Sequence, residues 1–101
     1  MPVTPLTTEC RAIASRMRNV TSICGNIGMQ WQLVYKDPDI LQGLHDALIA
    51  ASKPAEAAAV TTAQIQCSNL MECEGNIALH PVIIASAAGV DAGCALIEAL
   101  P

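Results

Sequence analysis

The sequence predicts an all-α fold, a small up-and-down helical bundle of three to four main helices, as a single domain over residues 1–101. Three observations carry this expectation. Apolar residues recur at alternating steps of four and three along much of the chain, the spacing of one face of a helix. Strand-forming residues are scattered among Ala, Leu, Met, Gln and Glu, which favour helix. Proline follows a capping or turn residue at Thr4-Pro5, Asp37-Pro38, Lys53-Pro54 and His80-Pro81, dividing the chain into helix-length pieces.

The first helix begins at Thr4, whose side chain suits an N-cap, followed by Pro5 at the first helical position and Glu9 in the early turns, where the macrodipole favours an anion. Its seam is Leu6, Cys10, Ile13, Met17, Val20, Cys24, Ile27, Trp31 and Val34. The helix is therefore expected to be long. Gly25 and Gly28, each costing about 1 kcal/mol relative to Ala in a helix, mark where it would bend or break.

Asp37-Pro38 reads as the end of that segment and the start of a second helix running to about Ala51, because the residue before proline avoids the α region. Its apolar stripe is Ile40, Leu41, Leu44, Ala47, Leu48 and Ala51. Ser52-Lys53-Pro54 repeats the punctuation, and a third helix is expected over Ala55 to Cys73 with Val60, Ala63, Cys67 and Leu70 on one seam and Thr61-Thr62 as a point of interruption. Glu74-Gly75-Asn76 signals a turn. A fourth helix is expected from Pro81 to about Ala99, its seam Ile83, Ala87, Val90, Cys94 and Ile97, widened by Ile84, Ala88 and Leu96. That helix has the length of a membrane span, but Asp91 and Glu98 argue against one. Gly89 and Gly93 have the small-xxx-small spacing of closely packed helices.

Composition bounds the function. Hydrophobic residues make up 52% of the chain, and with glycine the apolar share exceeds the roughly 45–50% usual in soluble domains. There is no Phe, one Trp and one Tyr, so the core must be built from small and branched aliphatic side chains. The net charge is −4 and unevenly placed: Arg11, Arg16, Arg18 and Lys36 precede Asp37, whereas all the acids except Glu9 lie from Asp37 onward. Attraction between the first helix and acidic neighbours within one fold explains this better than nucleic-acid binding, for which three arginines on an acidic chain are a weak footprint.

Five cysteines are present, an odd number, and the N-terminus lacks the basic and apolar regions of a secretory signal, so a reduced cytoplasmic setting is expected. Cys10, Cys24, Cys67 and Cys94 fall on the apolar seams, where cysteine behaves as a small hydrophobe. No C-x-x-C or H-x-x-x-H spacing occurs, so no metal site and no cofactor are expected. Cys10 and Cys24 are too far apart along one helix to bridge, whereas a long-range disulfide such as Cys10 to Cys94 stays open.

No catalytic constellation is legible. His45 and His80 are the only imidazoles, and His45 adjoins Asp46 in a helix, where neighbouring residues do not face each other. Asp37 and Asp39 are accounted for by capping and the macrodipole at a helix N-terminus. Gly25-Asn26-Ile27-Gly28 follows a helix and lacks the lysine of a phosphate loop.

What remains is surface. Met29, Leu33 and Tyr35 lie off the seam that carries Trp31, so the segment is apolar around most of its girth and is expected either to be the hydrophobic centre of the bundle or to bury a second face against another chain. Met29, Trp31, Leu33 and Tyr35 are the candidate partner-binding residues, their types being enriched at interface cores in the case of Met, Trp and Tyr. The expectation is a non-enzymatic regulator or inhibitor, antiactivator-like by analogy of size and class, that binds another protein and forms a homodimer, with no nucleic acid and no membrane as partner. The alternatives are a small cysteine-dependent metal or redox protein using Cys67 and Cys73, and a structural subunit of a larger assembly. Met29→Glu or Leu33→Glu is expected to disrupt association, read by light scattering, while circular dichroism shows helical content largely intact.

Overall fold

The computed structural model describes residues 4–23, 31–69 and 77–100, and every element among them is helical. Helix α1 spans Pro5–Arg18, α2 is a single turn Val20–Ile23, α3 spans Trp31–Ala50, α4 spans Pro54–Asn69, and a 3-10 turn Ile77–Leu79 leads into α5, His80–Glu98. The four long helices form the expected all-α bundle.

Local chemistry sets the start of α1. Thr4 is extended, and its hydroxyl accepts the Thr7 N–H at 3.2 Å while the Thr7 hydroxyl accepts the Thr4 N–H at 3.0 Å, a reciprocal cap with threonine in place of the usual Glu or Gln. The helix stops sooner than its apolar seam implies. Asn19 turns its side-chain amide onto the Ser15 carbonyl at 2.8 Å and its own N–H onto the Ser15 and Arg16 carbonyls, closing the helix before α2 resumes at Val20. The break is therefore at Asn19; Gly25 and Gly28 lie outside the described residues.

Asp37-Pro38 does not separate two helices, contrary to the sequence expectation. Both residues lie inside α3, which runs from Trp31 through Pro38 to Ala50. An interior proline forfeits one backbone hydrogen bond and costs about 3 kcal/mol. Tertiary contacts on both sides offset this: Leu41, Leu44 and Leu48 are fully buried, Arg16 pairs with Asp37, and the Gln64 amide donates to the Pro38 carbonyl at 2.8 Å. The Thr61-Thr62 pair does not interrupt α4 either, because both hydroxyls bond back to carbonyls four residues earlier, at Ala57 and Ala58.

Contacts fix the helix directions. Asp37 meets Arg16, the Ile40 carbonyl receives the Cys10 thiol, and Gly43 lies against Leu6, so α1 and α3 are antiparallel. Gln64 reaches back to Pro38 and Gln42, so α3 and α4 are antiparallel. Arg11 meets Glu98 and Arg18 meets Asp91, so α1 and α5 are antiparallel, which makes α4 and α5 antiparallel as well. Adjacent corners run α1, α3, α4, α5 and back to α1.

The core is the set of seams turned inward. From α1 and α2 come Cys10, Ile13, Ala14, Met17 and Val20; from α3, Leu41, Leu44 and Leu48; from α4, Ala57, Val60, Ala63 and Cys67; from α5, Ile83, Ala87, Val90, Cys94 and Ile97. The two glycines of α5 mark its closest approaches. A Cβ on Gly93 would come within 3.0 Å of Leu48, and one on Gly89 within 3.2 Å of the Ala59 Cβ. The seam of α5 is narrower than the sequence implies, since Ile84 and Ala88 face outward.

The connection between α3 and α4 is equally tight. Lys53 N–H bonds to the Leu48 carbonyl at 2.9 Å and Ser52 N–H to the Ile49 carbonyl at 3.0 Å, the paired bonds of a Schellman motif. Ser52 holds the left-handed position, with φ 62°. It therefore ends α3 and is not the cap of α4. A side chain in that region costs roughly 1–2 kcal/mol, a penalty glycine escapes at some entropic cost. Ser52→Gly is expected to raise stability by about 0.5–1 kcal/mol in a urea titration, with an unchanged circular dichroism spectrum.

Candidate functional site

The residues singled out as a partner-binding patch fall at the opening of α3. Trp31, Leu33 and Tyr35 lie in its first turns, their side chains outside the description, and Met29 lies outside the described residues. The described residues offer three other features, built from charge, buried sulfur and exposed aliphatic side chains.

The charge asymmetry resolves into ion pairs that clamp α1. Arg11 forks onto both Glu98 carboxylate oxygens and reaches Asp91 at 3.5 Å, and Arg18, two turns further along α1, pairs with the same Asp91. The Arg11 guanidinium holds the Glu98 carboxyl below its ordinary value. All three arginines of α1 are thereby engaged within the fold, since Arg16 meets Asp37 at 2.6 Å.

The Arg16 and Asp37 pair differs in kind. Asp37 is 1% exposed, so it is an interior carboxylate and not the solvated capping group expected from its place before Pro38. Burial pushes its carboxyl up against the lowering influence of the Arg16 bond. Oδ2 of Asp37 and Nε of Arg16 have no protein partner, and the two residues border a cleft of about 230 Å³ shared with Glu9, Ala12, Lys36 and Ile40.

Three cysteines are described, Cys10, Cys67 and Cys94, all free and buried. Cys67 is fully buried in the core, and burial, with the Asp37 carboxylate adding to it, pushes its thiol up to about 12, which suppresses nucleophilic or metal-binding character. Cys73, its suggested companion, lies outside the described residues. The Cys10 thiol donates to the Ile40 carbonyl and the Cys94 thiol to the Thr7 carbonyl, each at 3.9 Å. Among the described residues no three His, Cys, Asp or Glu side chains converge as a metal site would require.

His45 departs from the expectation that it would not meet its neighbour. Its Nδ1 lies 3.0 Å from the Asp46 carboxylate, and the Gln42 amide donates to the same oxygen at 2.9 Å. On the outer face of α3 the side chains bend round to form a small polar cluster, and the imidazole contact holds the Asp46 carboxyl below its ordinary value.

The third feature is apolar. Between α4 and α5 runs an open groove of about 340 Å³ lined by Ala59, Thr62, Val82, Ala85, Ser86 and Gly89. Its floor is low because Gly89 and Ala59 meet there. Val82 on its rim is 47% exposed, and Ile65, one helical turn beyond Thr62, is 60% exposed. The antiparallel run of the helices sets Ile65 toward the Val82 end. Sequence reasoning missed both residues, because single apolar positions off a seam are indistinguishable from ordinary scattered exposure.

Comparison of the chain with protein-family models, curated proteins and solved structures finds no match. Any functional reading therefore rests on the geometry alone.

The two carboxylates have opposite linkage to pH. Glu98, held low by Arg11, contributes stability that is present above its ordinary value of 4.5 and is lost as pH falls through the folded value. Asp37, held high by burial, contributes stability that is present below its ordinary value of 3.8 and is lost as pH rises through the folded value. Urea midpoints measured across the acid range are expected to fall less steeply on acidification in Glu98→Gln than in the parent. Asp37→Asn is expected to remove the loss that the parent shows as pH rises above 3.8.

Proposed function

We propose that this protein is a non-enzymatic, protein-binding regulator or inhibitor that works through its helical exterior and associates as a homodimer. The observation that carries the reading is the apolar α4–α5 groove with Val82 and Ile65 exposed at one end. Isolated exposed aliphatics are ordinary, but two β-branched side chains beside a shallow trough with a glycine and alanine floor make a surface that another helix can enter. A second copy of the chain is the occupant in this reading, each groove accepting the α4–α5 ridge of the other about a two-fold axis.

Two further features support binding over chemistry. The imidazole of His45 is taken up by Asp46 and Gln42 on an outer helix face, and the arginines of α1 are engaged in holding the bundle closed. Helix α5 is long and apolar enough to cross a membrane, yet its inner seam packs in the bundle core and its Asp91 and Glu98 pair with α1, which favours a role away from the bilayer. The patch of Met29, Trp31, Leu33 and Tyr35, expected from the sequence to serve association in general, is in this reading the proposed site for the regulated protein, so Met29→Glu and Leu33→Glu bear on that complex and not on the dimer.

The reading is tested by mass in solution. Sedimentation of the parent over a range of concentrations is expected to give a dimer, and Val82→Glu or Ile65→Glu is expected to weaken association at least tenfold while keeping the helical circular dichroism signal, since a charge replaces a desolvated aliphatic contact. A parent that remains monomeric throughout, or variants that dimerise as tightly as the parent, would sink the homodimer interface.

A further inference from the structure

We propose that the Arg16 and Asp37 pair is a register lock, which holds α1 at one axial position along α3 at a net cost in stability. Apolar contact alone is a loose guide to that position. The inner face of α1 presents Cys10, Ile13, Ala14 and Met17, and that of α3 presents Leu41, Leu44 and Leu48, side chains whose attraction has no direction and which a slip of one turn exchanges for others of the same kind. Directional contacts between the two helices are few. Among the described residues they are the Arg16 bond to Asp37 at 2.6 Å and the weak donation of the Cys10 thiol to the Ile40 carbonyl at 3.9 Å.

A slip has a specific consequence. Neighbouring turns of a helix are three to four residues apart, so moving α1 by one turn either way replaces Arg16 before Asp37 with Ala12 or Ile13, or with Asn19 or Val20. None of these carries a positive charge. Asp37 is 1% exposed, and a carboxylate so placed without a cation is strongly penalised. The other arginines of α1 do not take over, because Arg11 and Arg18 are turned to α5, where they meet Glu98 and Asp91, and Lys36, next to Asp37 along α3, is exposed. Gln64 of α4 holds the same turn of α3 from its other side, through the Pro38 carbonyl at 2.8 Å. Slipped arrangements therefore bury an orphan charge, and the native one gives that charge a partner.

As a stabiliser the same pair is poor. Oδ2 of Asp37 has no partner, nor has Nε of Arg16, so one bond is all that offsets the desolvation of the carboxylate. Burial raises the proton affinity of Asp37 in spite of the arginine, which is the sign of that shortfall. An apolar pair of similar bulk escapes the desolvation while filling the same space beside Ala12 and Ile40. What it lacks is a penalty on sliding.

The test is a double replacement, Arg16→Met with Asp37→Leu, in the full chain. Its urea midpoint is expected to equal or exceed that of the parent. Its amide resonances from α1 and α3 are expected to split into more than one set or to broaden by exchange, and the proton contact between the Leu6 methyls and Gly43, which meet in the native register, to weaken. Arg16→Met alone is expected to raise the unfolding constant roughly a hundredfold or more, since it leaves the buried carboxylate without its cation. A double variant less stable than the parent overturns the cost, and one with a single sharp set of resonances and the Leu6 to Gly43 contact intact overturns the lock. Because the double variant carries neither ion, its outcome stands even if Arg16→Met does not fold.

Discussion

The constraint on which this structure depends is the closeness of its helices. Among the described residues the core holds no aromatic plate to fill the space between helix axes, so that space must be small. Alanine and glycine on the inner faces allow it to be small: Ala57 and Ala63 on α4, Ala14 on α1, Ala87 and Gly93 on α5. Into the short gaps that remain fit Leu44, Leu48, Ile13 and Ile83. The same closeness brings Gly89 against Ala59 and Gly93 against Leu48, so the outer groove and the inner seam of α5 are two results of one packing rule.

Electrostatics then orders what packing allows. With α1 basic and α5 acidic along facing edges, the antiparallel arrangement pairs Arg11 with Glu98 and Arg18 with Asp91. Exposed pairs of this sort contribute little singly, about 0–1 kcal/mol, but mismatched arrangements would place like charges together. Their chief effect is on which helices become neighbours. The Arg16 and Asp37 pair lies deeper, and there the cost of desolvating the carboxylate is visible in its raised proton affinity.

Much of this was legible in the sequence wherever the signal was local. The five-residue seam of α5 is buried throughout as read, and Thr4 and Pro5 begin α1 as capping rules require. The glycine pair of α5 does mark close packing. The misreadings share a cause, which is that distant contacts outweighed a local preference. Pro38 reads as a helix start, yet the leucines beyond it and the Gln64 tether carry α3 through. Asp37 reads as a cap, yet its partner is Arg16 on another helix. Asn19 and Ser52 act through their own backbone conformations, and neither is the glycine that usually announces a helix end. Of the candidate surface, Val82 and Ile65 carry no pattern of their own, since exposure is decided by which helices happen to flank them.

The pairing of α1 with α5 joins segments 87 residues apart through the Arg11 and Glu98 contact, whereas α3 and α4 are joined by a turn at Ser52. Loop closure disfavours the distant contact until the intervening chain has condensed. The hairpin of α3 and α4 therefore needs little chain entropy to close, and the union of α1 with α5 carries the larger closure cost, which the buried seams of both helices must offset.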